Sequence, residues 1–278
     1  MKKVSVYIPV YNGALYLERT FEGLFQQTIP FAEIIIVDDG SQDNTVSVAR
    51  QYPVKIISHN YNKGVALARN TGIENSYYEL VASVDVDCIL DTHWLEKCMP
   101  FFDDVSVAGV GGKLLESMKA RVCDVWRGIN LIQHFGNGIK EVTYLSGSNT
   151  IYRKHDLMSV GLYNPHFQFH HEDIDISKRL IRTGKRLMYT DEARVFHIKQ
   201  DTVYSVMRSC WGYRHNTYPH TCIDFLKDIF CELKHALSIL GKSILHVRVR
   251  LLMLDSMYIF FQIYFCIKSY FLKTANFK

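Results

Sequence analysis

The succession of strand and helix patterns in this 278-residue chain predicts an α/β fold. The sheet is expected to be Rossmann-like, mixed but mostly parallel and flanked by helices, with a helical tail at the C-terminus. Three observations carry this. β-rich apolar runs alternate with helical patterns through residue 90. Two of those runs, Ile34–Val37 and Leu80–Val84, are apolar without interruption, as strands covered on both faces are. Each run ends in carboxylates, Asp38-Asp39 and Asp85-Val86-Asp87, and open α/β sheets bind ligands where their strands end.

The elements follow in order. Val4 to Val10 reads as a strand closed by a turn through Asn12 and Gly13. Asn12 is expected to cap the next helix, on which Leu17, Phe21, Leu24 and Phe25 share one face. After the strand Ile34–Val37, Ser41 or Asp43 starts a short helix that runs to Arg50. Val54–Ser58 is a third strand, Gly64–Ile73 an Ala-rich helix, and Leu80–Val84 a fourth strand. Beyond residue 90 the pattern loosens. Trp94–Phe102 reads as helix, Val105–Lys113 as a strand broken by glycines, and Val122–Phe135 as helix. Val142–Tyr152 reads as a strand interrupted by Ser146-Gly147-Ser148-Asn149. A helix over Asp173–Thr183 stops at Gly184, which suits a left-handed cap, and Arg186–His197 returns as a strand.

Composition narrows the function. Apolar residues make up 48% of the chain, ample for a core, and the net charge of +4 is too small to argue for nucleic acid. The seven cysteines, at 88, 98, 123, 210, 222, 231 and 266, form no C-x-x-C pair, which argues against zinc. Their odd number and irregular spacing predict reduced thiols and a cytoplasmic chain. The apolar start, Val4 to Pro9, is too short for a signal peptide.

The tail differs from the rest. Lys234, His235, Lys242, His246, Arg248 and Arg250 precede Leu251–Leu272, a stretch rich in Phe, Tyr, Ile and Leu that also holds Asp255, Gln262 and Lys268. A spanning helix tolerates few charges, so this segment is expected to lie on a membrane surface, or else to pack on the domain or in a dimer interface, rather than to cross a bilayer. The sequence therefore divides into a domain over 1–220, with halves at about 1–97 and 98–220, and a basic, apolar tail over 221–278.

Carboxylates gathered at strand ends repel one another unless a cation relieves them, and a divalent metal holding a diphosphate would do so. The ordered set Val37-Asp38-Asp39-Gly40-Ser41, Arg69-Asn70-Thr71-Gly72, Asp85-Val86-Asp87, Glu172-Asp173-Ile174-Asp175 and His197 resembles glycosyltransferase family 2 of the GT-A fold over roughly residues 3–200. Members of that family move a sugar from a nucleotide-sugar to an acceptor with inversion.

The resemblance implies a role for each motif. Pro9, Tyr11 and Asn12 match the family's first-strand motif, and Asp38 and Asp39 the nucleotide pocket. Arg69 matches a position near the donor diphosphate, where a guanidinium pairs well with phosphate. Asp87 is implied as a direct ligand of Mn2+ or Mg2+, with Asp85 on the metal or the ribose and His197 as a further ligand. Gly147, Ser148 and Asn149 match a loop beside the donor sugar. Asp173 is implied as the base that removes the acceptor proton and Glu172 as an acceptor binder, although the two can exchange roles. Family members often carry another Asp where this chain has Cys88.

Taken singly, each motif has a plainer reading. Asp-Gly is a common turn, D-x-D a common loop, Arg69 an ordinary helix residue, and His197 a histidine bonded to backbone. Trp211, Tyr213 and Arg214 read as a lid, an acceptor platform or core. The Gln-x-x-Arg-Trp string of processive synthases is missing, which favours single-sugar transfer.

The implied partners are a nucleotide-sugar, UDP- or dTDP-linked, and a glycan or glycolipid acceptor, met peripherally at the cytoplasmic face of the membrane. Two rivals remain. A sugar nucleotidyltransferase would carry a Gly-rich basic loop where Pro9-Val10-Tyr11-Asn12-Gly13 stands. An inactive domain would bind nucleotide-sugar, or act as a scaffold for another transferase, without needing all four of Asp85, Asp87, Glu172 and Asp173.

Overall fold

Strand β1 (Val4–Val10) is buried along its whole length because helices cover both of its faces. Its alternation sorts the core into two layers. Val4, Val6, Ile8 and Val10 point to one face, against Leu17, Phe21 and Leu24 of α1 (Ala14–Phe25). Tyr7 points to the other, against Ala66, Ala68 and Ile73 of α3 (Val65–Asn75). β2 (Glu33–Asp38) and β4 (Leu80–Val84) alternate in the same way. The computed structural model describes residues 2–117, 121–167, 171–214, 222–245 and 249–275. The boundary expected at 220/221, His246 and Arg248 lie outside them.

Among the described residues, nine strands form one sheet in the order β3-β2-β1-β4-β8-β6-β9-β5, with β7 added on β9. Here β3 is Lys55–Ser58, β5 Cys88–Leu90, β6 Val107–Glu116, β7 Lys140–Glu141, β8 Asn149–Arg153 and β9 Arg186–His197. β2 and β4 flank β1 in parallel, so the chain winds outward in both directions from β1. That reversal is where an α/β sheet opens a crevice at the C-terminal ends of its strands. β8 runs antiparallel to β4 and pairs Asn149 with Val84, so the start of β8 lies at the end of β4. β9 sets His197 opposite Cys88 on β5 and opposite Glu116 on β6. Helices α2 (Thr45–Ala49), α4 (Trp94–Cys98), α6 (Lys154–Ser159) and α7 (Glu172–Arg182) complete this part.

Several expectations change. Asn12 does not cap α1; its backbone is left-handed (φ 54°) and its Oδ1 accepts the Gln42 N–H at 2.8 Å. Asp43 Oδ2 serves the helix start instead, taking the Ala14 N–H at 3.1 Å. Phe25 leaves the buried face and stacks on Tyr52. The strand expected over 142–152 is reduced to β8, because residues 142–148 carry the loop toward the end of β4. The helix expected to reach Phe135 ends at Asn130.

The chain divides into two compact units. One comprises residues 1–117 and 133–199, the other 118–132 and 200–278. The sequence drew its boundary at 220, whereas α5 (Val122–Asn130) and α8 (Val203–Arg214) group with α9 (Cys222–Leu245) and α10 (Val249–Ala275). Trp126, Val206, Met207, Ile239, Leu254 and Tyr258 form the core of this helical unit. Trp211 packs on Phe265 there. Two polar residues of the apolar tail segment each make one hydrogen bond inside it, while Asp255 Oδ2 and Gln262 Oε1 are buried without a partner among the described residues. Asp255 accepts the Trp126 indole N–H at 2.7 Å, and the Gln262 amide donates to the Met207 carbonyl at 3.0 Å. Leu251–Lys268 is long and apolar enough to cross a membrane by length and composition.

Candidate active site

Three pieces of chain meet at the ends of β1, β4 and β8. β4 stops at Val84, and Asp85 opens a turn closed by the Cys88 N–H on the Asp85 carbonyl (3.1 Å). The alternation that would aim Asp85 and Asp87 the same way ends with the strand, and their side chains part. Asp85 Oδ1 accepts from Arg69 at 3.1 Å, while Asp87 Oδ2 lies 3.5 Å from His197 Nε2.

Arg69 is the hub of this edge. It projects from α3, is 4% exposed, and its guanidinium joins Asp85 on one side to Glu172 at the start of α7 on the other. The Tyr163 ring lies under it, 5.6 Å away. Gly147 comes so close that any side chain there would strike the guanidinium. Arg69 Nε and Glu172 Oε2 are buried without a hydrogen-bond partner in the protein.

Asp173, next to Glu172, is held differently. Its Oδ1 accepts the Ile174 N–H at 2.8 Å and its Oδ2 the Gly147 N–H at 3.4 Å. Burial, and then the charge of Glu172, push its carboxyl up to about 6. Ser148 gives its carbonyl to the Asp85 N–H at 3.2 Å, and Asn149 Oδ1 holds the Gly112 N–H at 2.7 Å. The loop 147–149 thus ties Asp85, Arg69 and Asp173 together.

His197 stands between two acids, its Nδ1 2.9 Å from Glu116 Oε1 and its Nε2 toward Asp87. Burial opposes charge on both His197 and Asp87, but their attraction overrides it. The imidazole rises to about 9 and the Asp87 carboxyl falls to about 2. Burial raises the Asp85 carboxyl; Arg69 pulls it back, and Asp87 pushes it up again. Among the described residues no three His, Cys, Asp or Glu side chains converge into a set that would hold an ion.

The Asp38-Asp39 corner lies at the end of β2. Asp38 Oδ1 accepts the Ser41 N–H at 3.0 Å. Asp39 is 3% exposed and already engaged, since the His59 imidazole and the N–H groups of Lys63 and Gly64 reach its carboxylate at 2.6, 2.9 and 2.8 Å. Gly40 is left-handed (φ 77°), and a Cβ there would fall 2.6 Å from the Tyr61 carbonyl carbon. Asp39 therefore builds the wall 61–64. Replacing it with Ala is expected to cost about 2–4 kcal/mol by stripping buried donors of their acceptor. Urea unfolding would measure this, and a change below about 1 kcal/mol would contradict it.

Pro9 is buried in β1 opposite Val37, and Tyr11 and Asn12 are exposed just beyond that strand. Sequence reasoning missed His59, Glu116 and Tyr163. Each acts through a partner far off in sequence, and no local spacing marks it.

The sequence profile described as Glycosyl transferase family 2 matches residues 5–161. Glycosyltransferase AglE of Haloferax volcanii is 37% identical over 118 residues, covering 40% of this chain and 39% of that protein. The chain thus spans well under half the length of this relative. The glucosyl-dolichyl phosphate glucuronosyltransferase of the same organism is 26% identical over 260 residues, 82% of this chain and 83% of that protein. Among solved structures, the mannosyltransferase PcManGT from Pyrobaculum calidifontis, in complex with GDP-Man and Mn2+, superposes with a TM-score of 0.63 at 16% identity. That superposition covers 95% of this chain and 87% of the other, and it shows a shared fold.

Proposed function

The chain belongs to glycosyltransferase family 2, and from that premise we propose that it transfers a single sugar, with inversion, from a nucleoside-diphosphate sugar to a glycolipid or surface-glycan acceptor. The observation that carries this reading is the meeting of Arg69, Asp85, Glu172 and Asp173 at the edge where the sheet reverses its winding.

Asp173 takes the acceptor proton. Among the described residues it is tethered by backbone N–H groups alone, and its carboxyl near 6 makes it a stronger base than a free carboxylate while leaving it ionised at neutral pH. Glu172 is neutralised by Arg69, so it orients rather than takes the proton. Its unpartnered Oε2 suits an acceptor hydroxyl. A single base acting in one displacement implies inversion. Asp38, Tyr11 and Asn12 line the nucleotide side, and the loop 147–149 the donor sugar.

Two of the three implied metal ligands, Asp87 and His197, stand side by side. Asp87 offers a carboxylate held in its charged form, and His197 turns Nε2 toward it while Glu116 fixes Nδ1, the outer-shell arrangement of metal-binding histidines. Asp87 and His197 would hold Mn2+ or Mg2+ once the imidazolium gives up its proton, Asp85 being turned to Arg69, and the ion would neutralise charge gathering on the departing diphosphate. The resemblance points to a UDP- or dTDP-linked donor, whereas the PcManGT structure holds a GDP-linked one.

Calorimetric titration with UDP, dTDP and GDP, each with and without Mn2+, separates these donors. One nucleotide is expected to bind in a metal-dependent way, and Asp87→Ala to weaken that binding at least about tenfold. Well-folded protein that binds none of the three would favour the scaffold reading. The glucuronosyltransferase relative is named for a lipid-linked substrate, which supports a lipid-linked acceptor here.

A further inference from the structure

Helix α10 is apolar on two opposite sides. Its inner side, with Leu251, Leu254, Tyr258 and Phe265, fills the core of the helical unit. Its outer side carries Met253, Phe260 and Ile267, spaced two turns apart, with Tyr264 beside them. These four are 66%, 73%, 40% and 48% exposed. A helix of a soluble bundle ordinarily turns charge outward at such positions.

The sequence of this segment is predominantly basic. Glu232 is buried and accepts the Tyr258 hydroxyl at 2.7 Å, and Asp255 is buried against Trp126. From Leu233 to the C-terminus Asp255 is the sole carboxylate side chain, and every other formally charged side chain is Lys or Arg. Lys268 is exposed at the end of the apolar stripe, lying over the Tyr264 ring.

We propose that the outer face of α10, along Met253, Phe260, Tyr264 and Ile267, docks on an anionic lipid surface. The apolar side chains enter the acyl boundary, and Lys268 with the basic residues of the tail meets the headgroups. A spanning helix would strip Asp255 from Trp126 and Gln262 from the Met207 carbonyl, leaving both polar groups in hydrocarbon. The inference rests on the transferase reading only for the presence of a lipid-linked acceptor nearby.

The test is co-sedimentation of the full chain with vesicles of phosphatidylcholine alone or mixed with phosphatidylglycerol. Binding is expected to the anionic vesicles only and to weaken with salt. The double variant Phe260→Glu/Ile267→Glu should lower partitioning by roughly tenfold or more, and Lys268→Glu less. Unchanged melting temperatures would show that these proteins fold. Protein that stays in the supernatant with both vesicles, or a double variant that binds as the parent does, would overturn the proposal. Vesicle binding that survives alkaline extraction would point instead to a spanning helix. A parent dimer that the double variant turns into monomer would assign the face to a second copy. Nucleotide titration of the same proteins keeps the two readings apart: failed vesicle binding with intact nucleotide binding removes the docking face alone.

Discussion

Asp173→Asn is expected to lower turnover by about 10²–10⁴-fold while nucleotide binding stays at the parent level. Asparagine keeps the size of the side chain and one oxygen to accept the Ile174 or Gly147 N–H, but it cannot take a proton. The pH profile follows from the same group. A base works only when ionised, and burial together with Glu172 holds this carboxyl near 6. With the base limiting, kcat/KM should therefore plateau above about pH 6 and fall about tenfold per pH unit well below it.

Stability should move the other way. Between the ordinary 3.8 and about 6, the folded chain binds more protons at Asp173 than the unfolded chain does. This residue's contribution to stability thus falls as pH rises through that window. Asp173→Asn should consequently keep or raise the melting temperature at neutral pH while slowing transfer as above. A variant that transfers sugar at the parent rate would remove Asp173 as the base. A lowered melting temperature with parent-like activity would make it a purely structural residue.

What the sequence made legible divides along physical lines. β1, β2 and β4 lie within a residue or two of their expected bounds, because strands buried on both faces leave long apolar runs that only such strands need; β9 also keeps its bounds, although polar residues interrupt it. α7 was equally plain, with acids in its first turn and Gly184, at φ 82°, as its stop. β5, β7 and the short β8 were missed or blurred. Two to five residues carry little periodicity, and long-range pairing rather than propensity decides them.

The site shows the same split. The positions of Asp85, Asp87, Glu172 and Asp173 followed from strand ends and a helix start, which are local features. Their partners did not. That Arg69 bridges Asp85 to Glu172 depends on a helix 103 residues before Glu172 packing on the same face of the sheet as α7. That Asp39 is consumed by His59 and the 63–64 backbone depends on the parallel register of β2 with β3. A sequence motif marks which carboxylates gather, and the fold decides which of them remain free to act.

Arg69 is where that distinction has its largest energetic consequence. Arg69→Ala is expected to destabilise the chain by about 3–5 kcal/mol, since it leaves the buried Glu172 and the adjoining Asp85 without their counter-charge. A solvated helix arginine, or one held in reserve for the donor diphosphate alone, would cost about 1 kcal/mol or less. Urea unfolding of the variant separates these readings.

Lysine at this position keeps the charge but loses the planar fork that reaches two carboxylates at once, so Arg69→Lys should fall between parent and Ala. The companion Glu172→Gln tests the cause. With Glu172 neutral, removing Arg69 should cost clearly less than it does in the parent, and a double-mutant cycle should return a coupling of about 1–3 kcal/mol. Additive losses would mean that Arg69 stabilises through Tyr163 and packing rather than through Glu172. Catalysis adds a second readout that packing alone would not move. Once Arg69 no longer neutralises Glu172, the repulsion on Asp173 grows and its carboxyl rises further. The acid limb of the pH profile in Arg69→Ala, measured where that protein is folded, should therefore shift to higher pH than in the parent.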